Sequence, residues 1–444
     1  MSRICYSFGV AGIVSGIKLE FPNQNFTPNA IIPAKIKTEA AGNKRVSTNI
    51  NPFNKTEKNQ QNQQIMEFII NPSLLKEELG LLTPVIERKA TIPVLSKIKM
   101  ETNIQGELAL TATDLDVTMR VNQVTDVLQS GSILVEGRKL YEISRELPNE
   151  PIHFALNKNG QIEIRYKKGR HKLSTVESSQ FPEVPMNKQP GVRVPTVLLR
   201  EAIRRTVFAV TTEQGRFTIH GAKLVVDEQS LILVATDGHR LAYTRFPLVN
   251  SSGQQLDLLI PKKLLLQLED LLDRELKRDA ESLIEIGETA NQLCFMVGRH
   301  TLFSRKLTGT FPNWEMALPK NLAFTAEIST EDFRQSLSRV TLTSETKNYS
   351  ITMEIQSGKL VLKSSTAEGE AQEEMLAVLN GGNSQNVHAL RFNSRYMQDF
   401  LQVIAKAGSP TFTLSFNDSN SPFELALPNE CESFRYVLMP LRGE

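Results

Sequence analysis

From Met66 onward the apolar residues switch between a period of two and a period of three to four, and the switches recur in one order three times. Each unit opens with a short strand and an amphipathic helix. In the first, Asn71 caps and Pro72 enters a helix whose Leu75, Leu79, Leu82 and Ile86 share one face. In the second, Pro195 precedes Leu199, Ile203, Val207 and Val210. In the third, Ser329 and Asp332 stand at capping-box spacing before Phe333, Leu337 and Val340. Alternating strands follow at Leu108–Thr111, Leu231–Val234 and Leu360–Lys363. A second helix comes next, with its stripe at Leu140, Ile143 and Leu147, then Leu264, Leu268 and Leu271, then Met397, Phe400 and Ile404. Each unit closes on a hairpin, the first turning near Gly169, the second at Gly298, and the third joining Phe423–Leu427 to Phe434–Leu438.

The spacing is kept across the copies. Lys139, Lys263 and Arg395 open the three second helices and lie 124 and 132 residues apart. The pattern predicts an α+β fold of three tandem domains of one topology, at 66–188, 189–319 and 320–444. Each should carry antiparallel sheet with two helices on one face. Residues 1–65 stand outside this frame. Residues 22–65 are rich in Asn, Gln, Lys, Thr and Pro without an apolar period, and are expected to be disordered. Arg3 ahead of an apolar run, Phe8 to Ile17, has the outline of a secretory signal, but no clear small-residue cleavage site follows. The stretch reads as a tail, or as a start assigned upstream of Met66.

Charge sharpens the picture. The chain carries +2, of which residues 1–65 hold +5, leaving −3 on residues 66–444. A partner held by phosphate contacts therefore requires the cations to be gathered on one surface. The helices supply them. Lys76, Arg200, Arg204, Arg205, Arg334 and Arg339 lie on the first helices. Arg138, Lys139, Arg145, Lys262, Lys263, Arg395 and Lys406 lie on the second. Acidic neighbours such as Glu142 and Glu269 leave open that these are solvated faces with local ion pairs. Cations at helix starts oppose the helix dipole, which a phosphate partner would offset.

Tandem domains with antiparallel sheet can pair edge to edge, and a second copy can close the curve head to tail. The ends of the chain carry matching charge. Lys167, Lys168, Arg170, His171, Lys172 and Leu173 run along the first unit's last strand, and Glu368, Glu370, Glu373 and Glu374 along an edge of the third. Leu337 and Leu342 are expected to join that interface. Charged edge strands protected from pairing are the plainer reading of the same residues.

Catalytic readings find little support. Asp237-Gly238-His239 in a turn has no third partner, and Asp114/Asp116 could ligate magnesium only with further carboxylates. The six histidines are scattered, there is no GxxxxGK[ST] loop, and Cys5, Cys294 and Cys431 form no ligand spacing. No catalytic residue, metal or cofactor is expected.

Several motifs now converge. Ala235-Thr236-Asp237-Gly238-His239-Arg240-Leu241-Ala242 resembles the ATDGHRLA segment of bacterial sliding clamps, the beta subunits of DNA polymerase III. Tyr436-Val437-Leu438-Met439-Pro440-Leu441-Arg442 resembles their closing segment. Thr91–Leu95, Ala112-Thr113-Asp114-Leu115-Asp116 and Phe311-Pro312-Asn313-Trp314 fall in the family's order, so the resemblance spans residues 66 to 442. It implies a non-enzymatic, head-to-tail homodimeric ring, sheets outside and helices inside, in the bacterial cytoplasm at the nucleoid. The ring would encircle double-stranded DNA without sequence preference. It implies partners that bind through linear peptides: the polymerase III catalytic subunit, the clamp loader, other polymerases and repair proteins. Carried over, the peptide cleft comprises Ile219, Thr236, Gly238, His239, Arg240, Leu241, Pro312, Met439, Pro440, Leu441 and Arg442. The resemblance also places Lys89, Arg138 and Lys139 near DNA, and the helix cations Arg200, Arg204, Lys262, Arg334 and Lys406 complete the expected DNA-facing set. Met316 and Ala317 depart from the family's Arg and aliphatic residue, and Gly443-Glu444 from its terminal Leu.

Overall fold

The computed structural model describes residues 66–86, 91–183, 191–211, 219–249, 253–344, 349–356, 358–381, 387–428, 430 and 433–442. The expectations for residues 1–65, Lys89 and Gly443-Glu444 lie outside them. The first unit holds β1 (Glu67–Ile70), α1 (Pro72–Leu82), β2 (Lys97–Thr102), β3 (Glu107–Thr113), β4 (Val117–Val124), β5 (Asp126–Gln129), β6 (Gly131–Glu136), α2 (Gly137–Glu146), β7 (Ile152–Leu156), β8 (Gln161–Tyr166) and β9 (Gly169–Glu177). The second holds β10 (Val192–Pro195), α3 (Thr196–Thr206), β11 (Gly221–Val226), β12 (Ser230–Thr236), β13 (Arg240–Pro247), β14 (Leu256–Pro261), α4 (Lys262–Arg278), β15 (Leu283–Glu288), β16 (Gln292–Val297) and β17 (His300–Arg305). The third holds β18 (Phe324–Ser329), α5 (Thr330–Thr341), β19 (Ser350–Gln356), β20 (Lys359–Thr366), β21 (Gly369–Met375), β22 (Val378–Asn380), β23 (His388–Asn393), α6 (Ser394–Lys406), β24 (Thr411–Phe416), β25 (Phe423–Ala426) and β26 (Phe434–Leu438).

The helices form where the sequence supplies both a start and a stripe. Asn71 accepts from the Ser73 amide and Pro72 sits at the first position of α1. Ser329 accepts from Asp332 N in α5, and Asn393 from Arg395 N in α6. Stripe residues of all six helices, from Leu75 and Leu79 to Phe400 and Ile404, are buried in one core that runs through the three units, with Ile143 and Leu147 half-buried against it. Among the described residues no helix is long and apolar enough to cross a membrane.

The sheets differ from the simple expectation of one per domain. The nine strands of the first unit lie in one sheet, those of the second and third units each divide between two, and two of the three sheets run across unit boundaries. β17 of the second unit pairs antiparallel with β4 of the first, His300 opposite Val121 through Ser304 opposite Val117. β26 of the third pairs with β13 of the second, Phe434 opposite Thr244 through Leu438 opposite Arg240. Both junctions use the same pair: the last strand of one unit against the fourth strand of the unit before it. Repetition of that rule leaves two strands unsatisfied. β9 is paired with β6 only from Thr175 on, so its Gly169–Ser174 stretch is open on one side. β21 pairs with β20 alone.

Buried charge spans both junctions. At the first, Glu78 of α1 takes His300 Nε2 at 2.7 Å, Arg299 Nη2 at 2.8 Å and Arg278 Nη2 at 3.4 Å, all from the second unit. Lys263 of α4 also pairs with Asp114. At the second, Arg205 reaches Glu430 at 2.7 Å, and Arg240 reaches Asp399 at 2.6 Å.

Candidate functional site

β12, β13 and β26 are apolar on both faces, unlike their neighbours. Leu231, Leu233, Ala235, Ala242 and Tyr436 face the main core. Val234, Leu241, Tyr243 and Val437 point to the opposite face and form a second cluster with Ile219 and Phe311. Trp314 stacks on Tyr243 with ring centroids 5.3 Å apart and joins the cluster with Ala317 and Leu318. Above this floor lies a cavity of about 190 Å³ between the second and third units, lined by Ile219, Thr236, Gly238, Arg240, Leu241, Pro312, Asn313, Trp314, Ala317, Val437 and Met439. Apolar walls with a few placed polar groups suit the side chains of a short peptide.

The turn from Thr236 to Arg240 shapes one wall. Asp237 accepts from the His239 and Arg240 amides at 2.9 and 3.0 Å, and Gly238 takes φ +89°, which favours glycine. Asp237 is therefore spent as a turn former and on Arg240 Nε, at 2.9 Å, and Asp114 does the same work in the first unit through the Asp116 and Val117 amides. Neither presents a free catalytic carboxylate. Among the described residues no group of three or more His, Cys, Asp and Glu could hold a metal ion.

Seven residues expected at the cleft line it: Ile219, Thr236, Gly238, Arg240, Leu241, Pro312 and Met439. His239, Pro440, Leu441 and Arg442 lie beside it instead. His239 stacks on Tyr396 at 6.5 Å and its carbonyl accepts from Met439 N, while Leu441 N donates to the Arg391 carbonyl and ties the chain end to the third unit. Asn313, Trp314 and Val437 were not foreseen as lining, and Ala317, one of the departures from the family pattern, lines it too. Met316, another departure from that pattern, is 83% exposed beside the cavity rather than in it.

The helix cations are more engaged than their sequence positions suggest. Arg200 and Arg204 converge on Asp273 at 3.5 and 2.6 Å, and Arg204 also meets Glu269 at 3.3 Å. Burial pushes the Glu269 carboxyl up, against the pull of Arg204. Lys139 pairs with Glu142, and Arg138 donates to the Ile86 carbonyl. Arg334 hydrogen-bonds Glu331 and holds that carboxyl down at about 2. Lys262 donates to the Val210 carbonyl at 2.7 Å, and burial together with Arg240 lowers its ammonium pKa. Lys406 lines a cavity of about 180 Å³ between α3, α4 and α6.

Of the residues expected at an interface between copies, Arg170, His171, Lys172 and Leu173 lie on the open stretch of β9, with Lys168 in the turn before it. Glu370, Glu373 and Glu374 lie on β21, with Glu368 in its turn, and Leu342 is 85% exposed at the end of α5. Leu337 is a correction. It is wholly buried in the core on the inner stripe of α5 and offers no surface to another chain.

Three family models match the chain in order: the DNA polymerase III beta subunit N-terminal domain over residues 66–185, its central domain over 193–313 and its C-terminal domain over 315–442. The beta sliding clamp of Pseudomonas aeruginosa is 32% identical over 385 residues, covering 85% of this chain and all of that protein. That of Bacillus subtilis is 27% identical over 389 residues with the same coverage. The crystal structure of the Pseudomonas aeruginosa sliding clamp bound to griselimycin superposes with a TM-score of 0.78 at 30% identity, covering 85% of this chain and all of that one.

Proposed function

The chain belongs to the DNA polymerase III beta subunit family, and from that premise we propose that two copies close head to tail around duplex DNA and tether partners through the cleft between the second and third units. It acts as a sliding clamp, conferring processivity without turnover of its own. The polymerase III catalytic subunit, the clamp loader, other polymerases and repair proteins would engage the cleft through linear peptides with Leu and Phe anchors. The six helices would face the DNA and make sequence-independent phosphate contacts.

The observation that carries the ring is the repeated strand rule. Two junctions within the chain join a last strand to a preceding fourth strand, with five residue pairs each. One last strand, β9, and one fourth strand, β21, remain open. A second copy supplies what each lacks, and doing so twice closes the assembly.

The deciding experiment loads the protein onto circular plasmid with a clamp loader and washes at high salt. Retention on circles with loss after linearisation is expected, because topological linkage survives salt that weakens phosphate contacts. Equal loss from both forms would refute the ring. For the cleft, Leu241→Asp places a carboxylate in an apolar wall and should weaken a labelled Leu- and Phe-anchored peptide at least ~30-fold by fluorescence anisotropy, leaving plasmid retention intact. Unchanged affinity would move the peptide site elsewhere.

A further inference from the structure

Arg240 is the polar residue of the cleft whose position depends on both units that build it. Only 9% of it is exposed, and its guanidinium is satisfied on every side. Within its own unit it donates to Asp237 Oδ2 at 2.9 Å and to the Phe208 carbonyl at 2.8 Å. From the third unit come Asp399 Oδ2 at 2.6 Å and the Tyr436 hydroxyl at 3.3 Å. The Tyr436 hydroxyl donates to the Tyr396 carbonyl at 3.0 Å, so it receives the Arg240 N–H as an acceptor. The plane of the guanidinium rests on the Tyr396 ring, 4.3 Å from its centroid.

Asp399 sits on the far side of this arrangement. It lies on α6 and lines the helix-side cavity, not the cleft. Its carboxylate is the shortest contact Arg240 makes and, of the two carboxylates Arg240 meets, the one that lies across the junction. We propose that Asp399 is a positioning residue for partner binding: through Arg240 it fixes the polar wall of the cleft from behind and ties that wall to the helix layer. This rests on the reading of the cleft as the peptide site. A charge-assisted bond between fixed partners holds a guanidinium more firmly than its neutral contacts do. Loss of the charge would leave Asp237 as the one charged contact of Arg240 and only the neutral Tyr436 and Tyr396 contacts from the third unit, so that unit would hold the cleft wall less firmly.

The test is a double-mutant cycle on the full chain, read by anisotropy with a fluorescein-labelled peptide carrying Leu and Phe anchors. Asp399→Asn keeps the size of the side chain and should weaken the peptide about tenfold. In an Arg240→Met background the same change should cost nothing further, because it acts only through the guanidinium. Unchanged affinity in Asp399→Asn, or an equal loss in both backgrounds, would overturn the proposal. Where the double variant binds too weakly to titrate, the crystal structure of Asp399→Asn decides: a displaced Arg240 guanidinium upholds the proposal and an unmoved one refutes it. Failure of the unaltered chain to bind the peptide would instead overturn the cleft reading itself, and this inference with it.

Discussion

Arg170→Glu with Lys172→Glu is expected to convert the protein from a dimer into a monomer of 49.8 kDa in sedimentation and to abolish its retention on circular plasmid. The expectation follows from register. In both junctions within the chain, the residue at the place of Thr118 or Leu241 on the fourth strand stands opposite Phe303 or Val437 on the last strand. The hairpin partners of these residues, Thr113, Thr236 and Ser365, identify Glu370 as the third fourth-strand position. The partners Cys294, Glu424 and Glu163 identify Lys172 as the third last-strand position. The rule therefore sets Lys172 opposite Glu370 of the other copy, Arg170 opposite Gln372 and Leu173 opposite Gly369. Side chains directly opposite share a face, so Arg170 and Lys172 fall beside Glu370 and Glu374. Reversing both cations turns that face into a run of like charge at a closing interface. Several kcal/mol are expected to be lost, and at 1.4 kcal/mol per tenfold about 4 kcal/mol weakens the dimer ~1000-fold. Mixing that variant with Glu370→Lys/Glu374→Lys should restore dimers made of one copy of each. A variant that stays dimeric after the double reversal, or a mixture that fails to recover, would show that the rule of the two internal junctions does not extend to the third.

How far the sequence foretold this arrangement varied by element. The helices were legible because caps and stripes agree, and Asn71, Ser329 and Asn393 cap as their positions suggest. β5 and β22 were not, since DVLQ and VLN are too short and mixed to carry a period. The continuation of sheets across unit boundaries is also absent from local pattern, because which strands meet is settled by distant pairing. The cleft had a signal that went unread. β2 and β19 alternate cleanly, buried against half-buried, whereas β12 is apolar without a break from Leu231 to Ala235, and β13 and β26 carry shorter apolar runs at Leu241–Tyr243 and Tyr436–Leu438. A continuous run marks a strand covered on both faces, and the second covering here is the cluster of Trp314, Tyr243 and Val437. The state of the helix cations was illegible for another reason. Arg204 and Asp273 are 69 residues apart, and their pairing depends on how α3 packs on α4. The helix cations are accordingly less free than a count of Lys and Arg implies, which would suit the proposed ring in sliding over phosphates without gripping them.

Replacing Glu78 by Leu should cost about 3 kcal/mol or more, a large loss for a single side chain. Glu78 occupies α1 one residue before Leu79, so the same turn that buries the leucine in the core turns the carboxylate toward the second unit. Both Glu78 and His300 are essentially inaccessible. His300 Nε2 faces the carboxylate, while Nδ1 has no protein partner among the described residues, which places the shared proton between Nε2 and Glu78. Burial pushes the Glu78 carboxyl up, but the hydrogen bond from His300 and the charges of His300, Arg299 and Arg278 outweigh it, and its pKa lies below the usual value of 4.5. A carboxyl lowered by folding stabilises the native state at every pH above its ordinary range. That contribution is lost only as pH falls below about 4.5 and through the still lower folded value, so the first unfolding midpoint in urea should drop steeply there. The Glu78→Leu variant should lack this acid step and be weaker at neutral pH, because Arg278, Arg299 and His300 lose their shared hydrogen-bond acceptor. Arg299 is partly exposed and can turn to water, whereas His300 cannot, so adding His300→Leu should recover most of the loss. Urea titrations at fixed protein concentration, from pH 3 to 8, separate the cases. Equal stability of Glu78→Leu and the unaltered chain at pH 7 would mean that the junction is held by the β4–β17 pairing and its apolar cover, with the buried charges merely accommodated.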